Sequence, residues 1–81
     1  MVEIRRKGNV MVAKRDTDFG VPEFIRLQKG EEILNAAYKG FSVIMAQLDQ
    51  EIINKYFDKD PWTDEDFDFI KKEIVKNAVL Y

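Results

Sequence analysis

The chain has 81 residues, of which 46% are hydrophobic and 12% aromatic, and its formal net charge is −2. This composition predicts a folded chain with one domain spanning 1–81, and it argues against disorder. The sequence has no cysteine and no histidine, which excludes disulfides, thiolate nucleophiles and the usual zinc ligands. No run approaches the roughly 18 apolar residues of a membrane span, and the charged N-terminus does not resemble a signal peptide. We therefore expect a cytoplasmic protein with no membrane contact.

The charge is divided unevenly along the chain. Residues 1–30 contain seven basic and four acidic residues, whereas residues 31–81 contain six basic and eleven acidic ones. The net charges are +3 and −5. An asymmetry of this kind is a hint of a nucleic-acid or membrane contact, although a small protein can also have it without any function.

Residues 2–15 have the pattern of an antiparallel β-hairpin. Val2, Ile4, Val10 and Val12 are β-branched and alternate with polar residues, and the turn falls in 7–9. A three-residue loop would bring all four apolar side chains to one face, whereas a two-residue loop would divide them between the faces. Because burial favours a single apolar face, we expect the three-residue loop.

A connector rich in turn formers occupies 16–22, and we expect its Phe19 to lie in the core. The next segment, 23–29, has two interpretations. Pro22 at a first helical position favours a short helix, whereas the alternation of Ile25 and Leu27 with polar residues favours a third strand. The strand is the slightly better interpretation.

The stretch from Glu31 to Phe57 contains no proline and has apolar residues at spacings of three and four. This spacing predicts one long amphipathic helix. Gly40 is the weak point of the prediction, because an interior glycine costs a helix roughly 0.5–1 kcal/mol relative to alanine.

A second helix is predicted from Thr63 onwards. The Thr63 hydroxyl is placed to accept a hydrogen bond from the backbone N–H of Asp66, and the Asp66 carboxylate can accept one from the backbone N–H of Thr63. Trp62 and Phe67 occupy the flanking apolar positions. The short linker from Asp58 to Pro61 predicts that the two helices pack as an antiparallel pair.

Catalytic and metal motifs are missing from the sequence. Ser42 has no plausible base beside it, and the acidic run from Asp58 to Asp68 lacks the glycine and the twelfth-position glutamate of a calcium loop. Helix capping accounts for these carboxylates. We expect no enzymatic activity, no metal, no cofactor and no small-molecule ligand.

The basic hairpin is the sharpest functional signal, and it predicts phosphate contacts with nucleic acid. The candidate residues are Arg5, Arg6, Lys7, Lys14 and Arg15. Residues 1–18 contain no aromatic side chain for base stacking. The alternative is that these cations only solvate the sheet and protect an edge strand from aggregation.

The predicted fold is therefore α+β, with an N-terminal antiparallel hairpin, or a three-stranded sheet, packed on an antiparallel pair of C-terminal helices. Two functions remain open. The first is a non-enzymatic regulatory protein that contacts nucleic acid through the hairpin as a homodimer. The second is a protein–protein interaction module that uses the apolar face of the long helix and the acidic C-terminal half. The candidate interface residues are Leu34, Tyr38, Met45, Ile53 and Phe57.

Overall fold

A computed structural model describes residues 1–30 and 35–78. The described chain is an antiparallel sheet of five strands in sequence order, followed by two helices, so the fold is α+β. The elements are β1 (Val2–Lys7), β2 (Val10–Asp16), β3 (Pro22–Gln28), β4 (Ala36–Lys39), β5 (Val43–Ala46), α1 (Gln50–Asp58) and α2 (Asp64–Asn77).

The predicted hairpin is present, but its predicted register is wrong. Lys7 pairs with Val10, so the loop has two residues, Gly8 and Asn9. Gly8 has a φ of 60°, which glycine adopts readily and which the first central position of a type II′ turn requires. The loop geometry thus outweighed the grouping of β-branched residues, and Met11 and Ala13 are buried where valines were expected.

The predicted long helix from Glu31 to Phe57 is also wrong. Residues 36–46 form β4 and β5, joined by a three-residue turn at Gly40, and only Gln50–Asp58 is helical; residues 31–34 lie outside the described residues. Pairing with β3 gives the backbone of β4 a ladder partner that an isolated sequence window cannot reveal. The predicted sheet of two or three strands therefore becomes a sheet of five.

The strand interpretation of residues 23–29 is confirmed by β3. Ile25 and Leu27 are fully buried, and the intervening Arg26 is exposed, as alternation requires. Phe19 does not lie in the core as expected, because the loop after β2 leaves it 86% exposed.

The predicted start of the C-terminal helix is confirmed. Thr63 is the N-cap of α2, its side chain accepts from the Asp66 amide, and the Asp66 carboxylate accepts from the Thr63 amide at 2.8 Å. Both helices pack on the sheet. They contact each other where the ring of Tyr56 in α1 stacks on the ring of Phe69 in α2, with centroids 5.6 Å apart. Among the described helices, none is long and apolar enough to cross a membrane.

The core lies between one face of the sheet and the two helices. Its largest fully buried side chains are Met11, Ile25, Leu27, Ile53, Phe67, Ile70 and Ile74. Within the described ranges 1–30 and 35–78, no helix or strand covers the opposite face of the sheet. The candidate functional site lies on this uncovered face.

Candidate nucleic-acid interface

The uncovered side of the sheet, here called the open face, is formed by alternate residues of all five strands. Its charged members are Glu3, Arg5, Lys7, Lys14, Asp16, Arg26 and Lys39, and its other main members are Val10, Val12, Phe24, Gln28, Ala37, Val43 and Met45. The strand register arranges these side chains in rows that run across the sheet.

Two rows cross all five strands. One row places Arg5 beside Val12 and Val12 beside Arg26, and it ends with Ala37 and Met45. The next row places Lys14 beside Phe24 and Phe24 beside Lys39, with Glu3 and Val43 at its ends. Cations and apolar side chains therefore alternate across the width of the face.

The open face carries a charge opposite to that of the chain as a whole. It holds five basic and two acidic residues, a net charge of +3, whereas the rest of the sequence has eight basic and thirteen acidic residues, a net charge of −5. Within the described part of the chain, none of the five cations has a carboxylate oxygen within 4.0 Å. The charge of these five cations is therefore not neutralised by ion pairs within the described residues.

Phe24 is an open-face aromatic residue that the sequence analysis missed. It is half-buried and lines a depression of about 400 Å³ together with Glu3, Arg5, Val12 and Lys14. Residues 1–18 contain no aromatic side chain, whereas Phe24 reaches the same face from β3. The alternation of β3 was the available signal, because it places Phe24 and Arg26 opposite the buried Ile25 and Leu27.

Three of the five predicted nucleic-acid residues, Arg5, Lys7 and Lys14, lie on the open face. The structure places the other two on the helix-covered side. Arg6 donates to the backbone oxygens of Phe57 at 2.7 Å and Lys59 at 2.8 Å, and it pairs with Asp60 at 3.2 Å. It therefore ties β1 to the linker between the helices, on the opposite side from Arg5.

Arg15 belongs to a buried ionic cluster at the end of the sheet. Its Nη2 lies 2.8 Å from Oε2 of Glu23 and 2.9 Å from a carboxylate oxygen of Asp68, and its guanidinium stacks on Phe67 at 4.2 Å. Oε1 of Glu23 accepts from Tyr38 and Lys71, each at 2.8 Å. Arg15 is thus neutralised within the monomer.

The same contacts perturb the acidity of the cluster. Burial of Glu23 opposes its ionisation, but hydrogen bonds from Lys71, Tyr38 and Arg15 outweigh burial and lower its pKa from 4.5 to about 2. The hydrogen bond to Glu23 raises the pKa of Lys71, and burial raises the pKa of Tyr38. Ionised Glu23 thus serves as the acceptor that holds β2, β3, β4 and α2 together.

A cavity of about 650 Å³ adjoins this cluster, and the exposed rings of Phe19 and Phe41 line it together with Glu23, Tyr38 and Lys71. Among the described residues, the Glu23 carboxylate accepts four hydrogen bonds, which come from Arg15, Tyr38 and Lys71. These internal hydrogen bonds explain the cluster as a stabilising feature of the fold, and the explanation requires no ligand.

The predicted interface residues are dispersed in the structure. Tyr38, Ile53 and Phe57 are buried in the core, and Met45 lies on the open face with 48% exposure. Leu34 lies outside the described residues. The five residues do not form one exposed helical stripe, because the helix that would have aligned them is replaced by strands.

Among the described residues, no group of three or more acidic side chains is arranged to hold a metal ion. Comparison with protein-family models, with curated proteins and with solved structures found no match to this chain. The function is therefore argued from the geometry and charge of the open face.

Proposed function

We propose that this protein is a non-enzymatic regulatory protein that binds single-stranded nucleic acid on its open face. The observation that carries the proposal is the separation of charge: five cations share one sheet face and pair with no carboxylate among the described residues, while the remainder of the chain is acidic. A basic surface on an otherwise acidic protein directs a polyanion to that surface.

Phe24 supports binding to bases as well as to phosphates. It lies between Lys14 and Lys39 in the same row, so a base stacked on its ring would have phosphates within reach of cations on either side. Stacking on an aromatic side chain beside basic groups is the common mode of single-strand recognition, and it tolerates different sequences.

The width of the sheet favours a single strand over a duplex. Five strands about 4.8 Å apart span roughly 19 Å, whereas the DNA major groove is about 12 Å wide and admits a two-stranded ribbon. A five-stranded face of this width cannot enter the groove, but it can hold an unpaired strand across its rows.

The first test replaces cations on the open face. We expect Lys14→Gln/Lys39→Gln to weaken binding of labelled single-stranded DNA and RNA, measured by fluorescence anisotropy across a salt series. Because each lost phosphate contact removes about 0.7 from the slope of log affinity against log salt, the slope should fall by about 1.4. Glutamine retains the first two of the four methylenes of lysine, so the packing nearest the backbone is preserved.

The matched control is Lys72→Gln/Lys76→Gln, which removes the same charge from exposed positions of α2 on the helix side. An equal loss of affinity in this control would mean that only net charge matters and would exclude the open face as the site. Failure of the unaltered protein to bind any single-stranded oligonucleotide at low salt would end the proposal.

The second test removes the proposed stacking surface. We expect Phe24→Ala to weaken binding by roughly 5- to 150-fold, the range given by about 1–3 kcal/mol per stacked base, while the salt slope stays unchanged. The control is Phe19→Ala, because Phe19 is exposed but lies in the loop after β2. Equal effects of the two substitutions would exclude Phe24 as a stacking platform.

A further inference from the structure

The two outer strands of the sheet differ in how their free edges are covered. The edge of β5 is bridged at Ala46 by Ala78, which follows α2. The edge of β1 pairs with no other strand in the described ranges, and its six residues make it longer than either β4 or β5. An exposed edge of this length is a template for pairing with another strand.

The hairpin register identifies the backbone groups that face this edge. Lys7 and Val10 flank a two-residue turn, so they exchange both backbone hydrogen bonds. Since hydrogen-bonded pairs alternate along an antiparallel ladder, Glu3 and Arg5 also bond to β2. The amides and carbonyls of Val2, Ile4 and Arg6 therefore point away from the sheet.

We propose that a second copy of this chain pairs with β1 in an antiparallel register that has Ile4 on the two-fold axis. In this register Ile4 bonds Ile4 of the second copy, and Val2 bonds Arg6, so each free group of the edge finds a partner. On the open face, Glu3 lies opposite Arg5 of the second copy, and Arg5 lies opposite its Glu3. The pairing therefore brings two pairs of opposite charges together.

The neighbouring registers each place like charges directly opposite each other. With the axis at Arg5, the two Arg5 side chains face each other between two Glu3–Lys7 pairs, and with the axis at Glu3 the two glutamates face each other. Like charges directly opposite each other destabilise a sheet. The charge pattern of β1 thus favours the register with Ile4 on the axis, because among these three registers it alone places no two like charges of Glu3 and Arg5 directly opposite each other.

The pairing joins two sheets into one of ten strands and makes the two open faces continuous. A contact limited to one strand from each copy is smaller than the interfaces of stable dimers, so we expect a weak, concentration-dependent dimer. The proposal does not rest on nucleic-acid binding, and it is tested in the absence of nucleic acid.

Sedimentation equilibrium over a range of protein concentrations tests the charge pairs. We expect Glu3→Arg and Arg5→Glu each to raise the dimer dissociation constant by roughly 3- to 30-fold, because each converts two attractive pairs into repulsive ones. The double variant Glu3→Arg/Arg5→Glu should restore dimerisation. Both residues are exposed, so the monomer should remain folded. The matched control, Lys72→Glu, changes an exposed charge on α2, away from the β1 edge, and should leave the constant unchanged.

Oxidative cross-linking tests the register in a chain that has no native cysteine. Opposed residues at a non-hydrogen-bonded position have Cα atoms about 4.5 Å apart, which lies within the range of a disulfide. We therefore expect Glu3→Cys/Arg5→Cys to form a covalent dimer. The variant Glu3→Cys/Lys7→Cys should not, because those positions would be diagonal and roughly 7–8 Å apart.

A protein that stays monomeric at every concentration, a double charge variant that fails to regain dimerisation, or preferential cross-linking of the second cysteine variant would each overturn the proposal. Because these readouts use the protein alone, they are independent of the oligonucleotide measurements. A dimer that binds no nucleic acid would refute the proposed function only, and a monomer that binds it would refute the self-pairing only.

Discussion

Arg6 and Arg15 differ from Arg5 and Lys14 chiefly in the face of the sheet that their side chains leave. The sequence grouped them as one basic cluster, since all lie within the hairpin. In the structure, Arg6 bonds the linker between the helices and Arg15 bonds Glu23 and Asp68. A cation with such partners contributes to folding, because its charge is already matched within the monomer.

The role of Gly40 also depends on its surroundings in the fold. Its position beside Tyr38 leaves little room: an added Cβ would clash with the Tyr38 hydroxyl and come within 3.0 Å of Cζ and 3.2 Å of Cε2 of the ring. The ring is fixed by the bond from its hydroxyl to Glu23. We predict that Gly40→Ala lowers the free energy of unfolding by about 1–3 kcal/mol, measured by urea denaturation.

This outcome separates the observed turn from the helix that the sequence favoured. In a helix, the same substitution would stabilise the protein by roughly 0.5–1 kcal/mol. The control is the same change in a Tyr38→Phe background, where loss of the hydroxyl should reduce the penalty. An unchanged penalty would show that contact with the hydroxyl is not its source.

Among the helices and strands, local sequence signals predicted where a helix begins better than they predicted whether a segment is a helix or a strand. The N-cap of α2 depends on Thr63 and Asp66, three residues apart, and the structure confirms it. In contrast, the apolar spacing between residues 36 and 46 fits a helix, but the segment is a strand, a turn at Gly40 and a second strand. A periodic pattern of this length is ambiguous when a glycine interrupts it.

The capping contact yields a prediction for α2. We expect Thr63→Ala to cost about 1 kcal/mol, because the Asp66 amide loses its acceptor, and to lower the unfolding midpoint by roughly 4–8 °C. The measurement is thermal unfolding followed by circular dichroism. Ser42→Ala serves as the control, since it removes an exposed hydroxyl from the turn between β4 and β5. Equal effects of the two substitutions would argue against the cap.

At the scale of the whole molecule, the ionic cluster around Glu23 couples stability to pH. The folded pKa of Glu23 is about 2, below its ordinary 4.5, so between these values the folded protein binds fewer protons than the unfolded chain. The contribution of Glu23 to stability is therefore complete above about pH 4.5 and is lost as the pH falls towards 2. Hydrogen bonds from Lys59 and Thr63 overcome the effect of burial and lower the pKa of Asp66, which acts in the same direction.

We predict that the free energy of unfolding falls by about 3 kcal/mol through Glu23 alone over this range. Glu23→Gln should be less stable than the original protein near pH 7, and the two should converge near pH 2. Urea denaturation at a series of pH values provides the measurement, with the exposed Glu65→Gln as the control. Parallel stability curves for the original and Glu23→Gln proteins would contradict this assignment.

The distribution of charge is a second property of the whole molecule. The sequence predicted a basic N-terminal part and an acidic C-terminal part, and three of its five candidate cations lie on the open face. Arg26, Lys39 and Phe24 join them from later strands. The candidate site was therefore partly predictable, and the missing residues were those that reach the face through sheet pairing.

Features that depend on neighbouring residues could be predicted from the sequence: the existence of the hairpin, the strand at β3, the cap of α2 and the uneven division of charge. Which segments pair could not be predicted in this way, because the partners of a strand can lie far away in the chain and burial on one face depends on them. The type of residues 36–46, the opposite roles of Arg5 and Arg6, and the place of Phe24 beside Lys14 all follow from that pairing.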